Sequence, residues 1–108
     1  MEKALTVSEA LLADINNYLD YTWNDETRDK KTRGFIRDGM VYLNDKLGKT
    51  ADYEADGYPR MLLFDFVRYA RDGARDLFES NYKSMILAMQ NKERVDDYAK
   101  QKTVSAEQ

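Results

Sequence analysis

The sequence predicts an all-α protein: a compact bundle of three main helices, a C-terminal helical segment and a flexible polar tail. Apolar residues recur at helical spacing along nearly the whole chain, and no stretch sustains the apolar–polar alternation of a strand. The single proline, Pro59, follows a Gly- and Asp-containing loop and suits the first turn of a helix. Because 108 residues are typical of one domain, we expect a single helical domain (residues 1–91) and a polar tail (residues 92–108).

The first two helices are recognised by their ends. Thr6 and Glu9 have the spacing of a capping box, which predicts a helix start. The apolar residues that follow fall on about one third of the helix circumference: Leu11, Leu12, Ile15, Tyr18 and Leu19. The second helix is expected over residues 25–47, with Asn24 as its N-cap and Gly48 as its stop signal.

Two residues stand out inside the second helix. Gly39 lies in the apolar face, where a glycine often lets another helix approach closely. Val41 is alone on the polar side. An isolated exposed valine is the simpler interpretation of Val41, and a subunit contact is the alternative.

Residues 59–78 carry the strongest helical pattern. Nearly half of the predicted circumference is apolar: Leu62, Leu63, Phe66, Val67, Tyr69, Ala70, Gly73, Ala74 and Leu77. This width predicts the central helix of the fold. Residues 79–81 interrupt the pattern and indicate a break, after which a fourth helical stretch begins near Tyr82. From Lys92 onward the chain is too polar to order itself, so we expect a tail that is mobile until a partner binds it.

The composition removes several classes of function. The chain has no cysteine and no histidine, which excludes disulfides, thiolate or imidazole metal ligands and Ser–His or Cys–His catalysis. Most of the common chemistry of small enzymes is thereby removed. The absence of a long apolar run or a leader predicts a protein made in a reducing cytoplasm and not inserted in a membrane. A formal net charge of −3 argues against a general nucleic-acid binder.

Residues 19–31, LDYTWNDETRDKK, invite a metal-site interpretation. An EF-hand loop starting at Asp20 would need glycine at its sixth position and glutamate at its twelfth, and the chain has Asp25 and Lys31 there. A carboxylate pair would still lack a nucleophile. A helix junction explains the residues better, with Trp23 anchoring the turn to the core. In that interpretation three basic residues pair with the acids of the first turn: Lys30, Lys31 and Arg33.

Four arginines share one arc of the third helix, with two phenylalanines between them: Arg60, Arg68, Arg71, Arg75, Phe64 and Phe78. The arc could pair within its own helix, through Asp65–Arg68, Arg68–Asp72 and Asp72–Arg75. It could also bind phosphates, or acidic groups of a neighbouring subunit. A small dimeric helical DNA-binding regulator is the alternative function, although its recognition helix should be exposed and polar.

Two segments together resemble the small head–tail connector proteins of tailed bacteriophages and prophages. They are YLDYTWNDETRDKKTRGFIRDGMVYLND (residues 18–45) and YPRMLLFDFVRYARDGARDLFESNY (residues 58–82). The shared features are the W-x-D-E junction, a helix that ends in YLND before a Gly-containing loop, and LLFDFVRYAR followed by F-x-x-N-Y/F. The resemblance covers roughly residues 8–90.

The resemblance implies a structural virion protein without catalysis, cofactor or metal. Copies would form a ring, commonly dodecameric, beneath the portal protein at the head–tail junction, after assembly in the host bacterial cytoplasm. The ring would extend the channel, let DNA pass without specific binding, and contact a stopper or tail-completion protein. The candidate subunit or partner contacts are Val41, Arg60, Phe64, Arg68, Arg71, Arg75, Phe78, Arg94 and Tyr98.

Overall fold

The computed structural model describes residues 5–107, and the side chains of residues 5–101. The helices are α1 (Glu9–Tyr18), α2 (Glu26–Leu47), α3 (Tyr58–Arg71) and α4 (Phe78–Glu107), with a short 3-10 turn at Arg75–Leu77. The described part of the chain contains no strand. The predicted all-α bundle is confirmed.

The centre of the fold is the antiparallel contact between α2 and α3. A β-carbon added at Gly39 would lie 2.7 Å from Cδ1 of Leu63 and 2.8 Å from Cδ1 of Phe66. Both side chains are buried in the core. The missing side chain of Gly39 therefore permits the close approach that the sequence predicted. Residues from all four helices complete this core, among them Ile15, Ile36, Leu43, Leu62, Val67, Phe78 and Met89.

Two predicted N-caps are wrong by one or two residues. Ser8 caps α1, since its Oγ accepts a hydrogen bond from the Leu11 amide at 3.0 Å, so Thr6 does not form a capping box with Glu9. Asp25, not Asn24, caps α2, because its extended backbone lets its carboxylate accept from the Arg28 amide at 3.0 Å. The predicted stop of α2 at Gly48 is confirmed by its left-handed φ of 81°.

The predicted boundary between the third and fourth helices is wrong. α3 ends at Arg71, and Gly73 then adopts a φ of 71°, which reverses the chain before the 3-10 turn. α4 begins at Phe78 and continues without a break through residues 79–81. The helical pattern read across residues 59–78 therefore joined two elements. Leu77, assigned to the apolar arc, is 52% exposed because it lies in the turn.

α4 is the longest helix and extends past the bundle. Its 30 residues correspond to about 45 Å at 1.5 Å per residue, and the molecule measures 55 × 28 × 28 Å. The helix includes most of the predicted tail, residues 92–107, where the composition indicated no regular structure. Mobility of this segment in the free protein stays a prediction. Among the described helices, none combines the length and the apolar character required to span a membrane.

Candidate functional site

The junction between α1 and α2 is built differently from the sequence interpretation. Trp23 is 60% exposed and does not anchor the turn to the core. The anchor is Leu19, which is buried. Trp23 instead lies beside Arg28, whose Cζ is 5.2 Å from the indole ring and whose Nη2 donates to the Trp23 carbonyl at 2.7 Å. The tryptophan is therefore held at the surface by a cation–π contact and a backbone hydrogen bond.

Charged groups of this junction pair between helices. Arg33, expected to pair within its own helix, forms an ion pair with Glu9 of α1 at 2.9 Å. Asn16 of α1 donates to the carboxylate of Asp29 at 3.1 Å. In the described part of the chain, no group of three or more acidic side chains is placed to hold a metal ion. These polar contacts set how α1 lies on α2.

The arginine stripe is only partly paired within its own helix. The predicted Asp65–Arg68 pair is present, with a separation of 3.8 Å between Oδ1 and Nη2. The predicted pairs of Asp72 with Arg68 and with Arg75 are replaced, since α3 ends before Asp72. The other arginines form the pairs Arg60–Asp14 (2.7 Å), Arg71–Asp72 (2.9 Å) and Arg75–Asp38 (3.1 Å). Much of the stripe thus connects α3 and the following turn to α1 and α2.

Arg68 also belongs to a polar network that joins three helices. Its Nη2 donates to the hydroxyl of Tyr82 at 3.1 Å, while the hydroxyl of Tyr18 donates to Asp65. Burial, followed by the hydrogen bond and charge of Asp65, raises the pKa of Tyr82 to about 12. These contacts connect α1, α3 and α4. The substitution Arg68→Glu would remove the contacts of Arg68 with Tyr82 and Asp65 inside the fold. Arg68 is therefore a poor position for testing an interface.

The two phenylalanines of the stripe occupy different environments. Phe78 is 1% exposed, stacks on Tyr82 with 4.5 Å between ring centroids, and meets Phe66 edge to face at 5.3 Å. As part of the core it cannot contact a neighbouring subunit, which corrects its assignment as an interface residue. Phe64 is half-buried between the guanidinium of Arg60, 4.7 Å away, and the ring of Tyr18.

The remaining candidates lie on the outside of the molecule. Val41, on α2, is 59% exposed, which agrees with the predicted isolated valine. On α4, Arg94 is exposed beside an apolar stripe that we call the distal stripe: Leu87 (48% exposed), Val95 (64%) and Tyr98 (66%). At about 100° per residue, the distal stripe spans about 80° of the helix circumference. Sequence reasoning identified Tyr98 and missed Leu87, because it placed Tyr98 in a polar tail from Lys92 onward and Leu87 in the preceding helix, whereas both lie on one continuous helix.

A groove separates the outer half of α4 (residues 93–107), which we call outer α4, from the loop between α2 and α3. It has a volume of about 540 Å³, and Lys49 lies on its loop side. Lys49 pairs with Glu93 and lies 3.8 Å from Asp97, both in α4. One lysine therefore fastens the outer half of α4 to the loop.

A second groove lies at the opposite end of the bundle, and the sequence analysis did not find it. We call it the Arg28 groove; its volume is about 320 Å³. It is lined by Tyr21, Asp25, Thr27, Arg28, Lys31, Thr32, Phe35 and Arg71. The lining combines three basic side chains with one acid and two aromatic rings. The sequence feature that could have indicated this groove is the run of charged residues at 25–31. The sequence analysis assigned these charges to ion pairs within one helix.

No protein-family model matches the chain, and neither a curated protein nor a solved structure was found to be similar to it. The resemblance to head–tail connectors consequently depends on the order and spacing of the two sequence segments alone. What the structure adds is a helical bundle with a groove at each end and an exposed apolar stripe on its longest helix.

Proposed function

We propose that this protein is a structural head–tail connector that forms a ring beneath a portal protein and links the capsid to a stopper or tail-completion protein. The observation that supports the proposal best is the distal stripe. Three apolar side chains are about half to two-thirds exposed on one side of a helix that extends beyond its own bundle. Such a surface fits a protein whose role is to be covered by partners.

The stripe carries enough apolar surface to contribute to binding. Complete burial of a valine or leucine side chain contributes about 1.5–3 kcal/mol. Leu87, Val95 and Tyr98 keep about half or more of their surfaces in water, so each would contribute on the order of 1 kcal/mol when covered. A tyrosine with Arg94 beside it is also a composition enriched at protein interfaces.

The alternative, a DNA-binding regulator, requires an exposed polar helix that can enter a groove of DNA. α3 has five buried residues among its 14, so the helix with the arginines faces the core along much of its length. Its arginines are largely paired with acids. These features, together with the net charge of −3, favour the connector over the regulator. They also suit a channel through which DNA slides without sticking.

The first experiment is electron microscopy of this protein mixed with the portal protein from the same genome. The proposal predicts an added ring of density beneath the portal with matching symmetry. A folded, helical protein that leaves the portal unchanged at high concentration would contradict the proposal. Retention of duplex DNA that falls steeply with salt would instead favour the regulator.

A matched pair of variants tests the distal stripe within that experiment. Tyr98→Ser removes an exposed aromatic ring from the stripe, and Lys92→Ser changes a residue about 120° away on the same turns of α4. We expect Tyr98→Ser to lower occupancy beneath the portal and Lys92→Ser to keep it. Equal occupancy for both variants would remove the stripe from the contact surface.

A further inference from the structure

The Arg28 groove contains a basic side chain whose hydrogen-bonding capacity is incompletely used. The Arg28 side chain is 15% exposed, and its Nη2 contacts the Trp23 carbonyl and the Asp29 carboxylate. Its Nε and Nη1 are buried and have no hydrogen-bond partner. An unsatisfied buried donor costs about 1–3 kcal/mol, more when the group is charged. The Arg28 guanidinium therefore places a positive charge at this groove that the surrounding acceptors satisfy only in part.

The surroundings of Arg28 favour a negatively charged group. Lys31 and Arg71 are exposed and line the groove together with Arg28, and Asp25 is its acidic lining residue. Arg71 also pairs with Asp72 at 2.9 Å, which leaves part of its guanidinium for a further acceptor. The Cζ atom of Arg28 lies 4.1 Å from the centroid of the Tyr21 ring, a cation–π contact that helps hold the guanidinium in place. A carboxylate entering this groove would lie near several cations and would be partly shielded from water. Ion pairs are stronger in such a shielded site than in bulk water.

The groove is a pocket and not a track along the surface, which argues for a side chain rather than a nucleic-acid strand. Neutralising a strand requires a row of cations that follows successive phosphates. Here the basic lining residues surround one volume of about 320 Å³. The volume suits an acidic side chain and its immediate neighbours.

The same chain presents an acidic segment at the other end of the bundle. We call residues 52–56 (DYEAD) the acidic loop; Asp52, Glu54 and Asp56 are exposed in it. Glu54 accepts a hydrogen bond from Ser8, and Asp52 accepts one from the Glu54 amide, so the loop has a defined shape. Its buried residue, Tyr53, donates to Asn44 at 2.7 Å and fixes the loop to the end of α2.

The acidic loop cannot reach the groove of its own copy. The groove lies around Lys31 near the start of α2, and the loop follows Gly48. The 17 residues between these positions correspond to about 25 Å along the helix. A contact between the two surfaces must therefore join different copies, and it is heterologous, because each copy contributes a different patch. Repeated contacts of this kind generate rings when the rotation closes.

We propose that the acidic loop of one copy inserts into the Arg28 groove of the next, with the exposed Asp56 of the loop facing Arg28, Lys31 and Arg71. This inference rests on the proposed ring for its geometry, and it identifies the subunit contact within that ring. It replaces the earlier assignment of the interface to the arginine stripe: of the stripe, only Arg71 lines the groove.

The absence of cysteine permits a direct test by disulfide trapping. Thr27→Cys places a thiol in the groove lining, and Ala55→Cys places one in the acidic loop; both positions are exposed. The doubly substituted chain should give a ladder of covalent oligomers under mild oxidation. Ala13 is an exposed alanine on α1, so a chain with Thr27→Cys and Ala13→Cys is the matched control. It should give no ladder.

A charge-reversal pair supplies a second measurement on the protein without cysteines. Lys31→Glu reverses a groove charge, while Lys30→Glu makes the same change at its neighbour, which does not line the groove. Mass photometry should show at least about a tenfold loss of ring for Lys31→Glu and little change for Lys30→Glu. Adding Asp56→Lys to Lys31→Glu should restore part of the ring.

Disulfide trapping and the charge-reversal variants should both be measured with and without the portal protein. The results then test the subunit contact and the proposed connector function independently. Normal rings of the Lys31→Glu variant beneath the portal, without a ladder, would overturn the contact and leave the connector function standing. A ladder from a protein that ignores the portal would support the contact and count against the connector. Trapping through Thr27→Cys alone, as a dimer, would overturn the contact in favour of a symmetric one.

Discussion

α3 and the outer half of α4 are both helical, but different interactions hold them in that form. Five of the 14 residues of α3 are buried, and Gly39 of α2 lets its surface approach closely. In the outer half of α4, Val95 and Tyr98 are mostly exposed, and the visible support is local: Lys92–Asp96 within the helix and Lys49 across the groove. α3 is a helix because it is packed, whereas outer α4 depends on propensity and a few ion pairs.

The difference indicates which helix a partner can influence. A packed helix gains little from a further contact, because its apolar side chains are already out of water. An unpacked helix gains apolar burial and loses mobility when it is covered. The proposed portal or stopper contact therefore belongs on outer α4, while the bundle supplies a rigid frame.

The largest expected effect on stability comes from comparing two aromatic residues, Phe78 and Tyr98. The sequence analysis named both as candidate subunit or partner contacts. Phe78→Ala removes a core ring and should lower the free energy of unfolding by about 3–5 kcal/mol. Tyr98→Ala removes an exposed ring and should change it by about 0.5 kcal/mol or less. Urea denaturation followed by circular dichroism measures both. Similar losses would mean that outer α4 packs as tightly as the core.

Alanine substitutions at two glycines of α2, Gly39 and Gly34, test the tight contact between α2 and α3. Gly39→Ala should destabilise the protein by about 1–2 kcal/mol, since overpacking against Leu63 and Phe66 costs about 1–3 kcal/mol and outweighs a helix-propensity gain of about 1 kcal/mol. Gly34→Ala, where no atom lies within 4 Å of the added carbon, should stabilise by up to about 1 kcal/mol. Thermal melts of the two variants should move in opposite directions. Movement in the same direction would contradict the tight α2–α3 contact.

The sequence predicted the parts of the fold that depend on periodic apolar residues. The helical class, the approach at Gly39 and the stop at Gly48 follow from local pattern. The α3–α4 boundary did not, because the apolar residues on either side of Gly73 happen to continue one helical period across the turn. The left-handed φ of Gly73 and the packing of Phe78 of α4 against Phe66 of α3 show that the chain reverses there.

The candidate site was harder to predict than the fold because it depends on contacts between helices. The arginine stripe was expected to pair within its own helix or to bind a partner, yet Arg60 and Arg75 pair with acids distant in sequence, Asp14 and Asp38. Arg28, which has two buried donor nitrogens without a partner, lies instead in a run where local pairing was expected. Burial and hydrogen bonding separate these cases, and neither can be read from spacing.

The loop that carries the proposed contact can be tested through its buried tyrosine. Burial raises the pKa of Tyr53 above its usual value of 10.0. Above about pH 10 the unfolded chain releases this proton while the folded chain retains it, so the stability that Tyr53 contributes is present below pH 10 and is lost as the pH rises further. Tyr53→Phe should cost about 0.5–1.5 kcal/mol at pH 7 through the lost hydrogen bond to Asn44.

The Tyr53→Phe variant should also show a shallower decline in stability between pH 10 and pH 11 than the parent protein. Urea denaturation at pH 7, 10 and 11 measures both effects. A decline of equal slope in the two proteins would mean that the Tyr53 hydroxyl is accessible to water, and that the acidic loop is not fixed to α2 as described.

The smallest expected effect concerns the attachment of outer α4. Lys49→Ala removes the side chain that pairs with Glu93 and approaches Asp97, and exposed pairs of this kind contribute about 0–1 kcal/mol. Global stability should hardly change, but amide hydrogen exchange in residues 93–101 should become faster. Lys92→Ala removes a pair within α4 and serves as the control for a purely local loss. Equal exchange in the two variants would show that Lys49 does not hold outer α4 to the loop, and that a partner meets a helix whose order is independent of this ion pair.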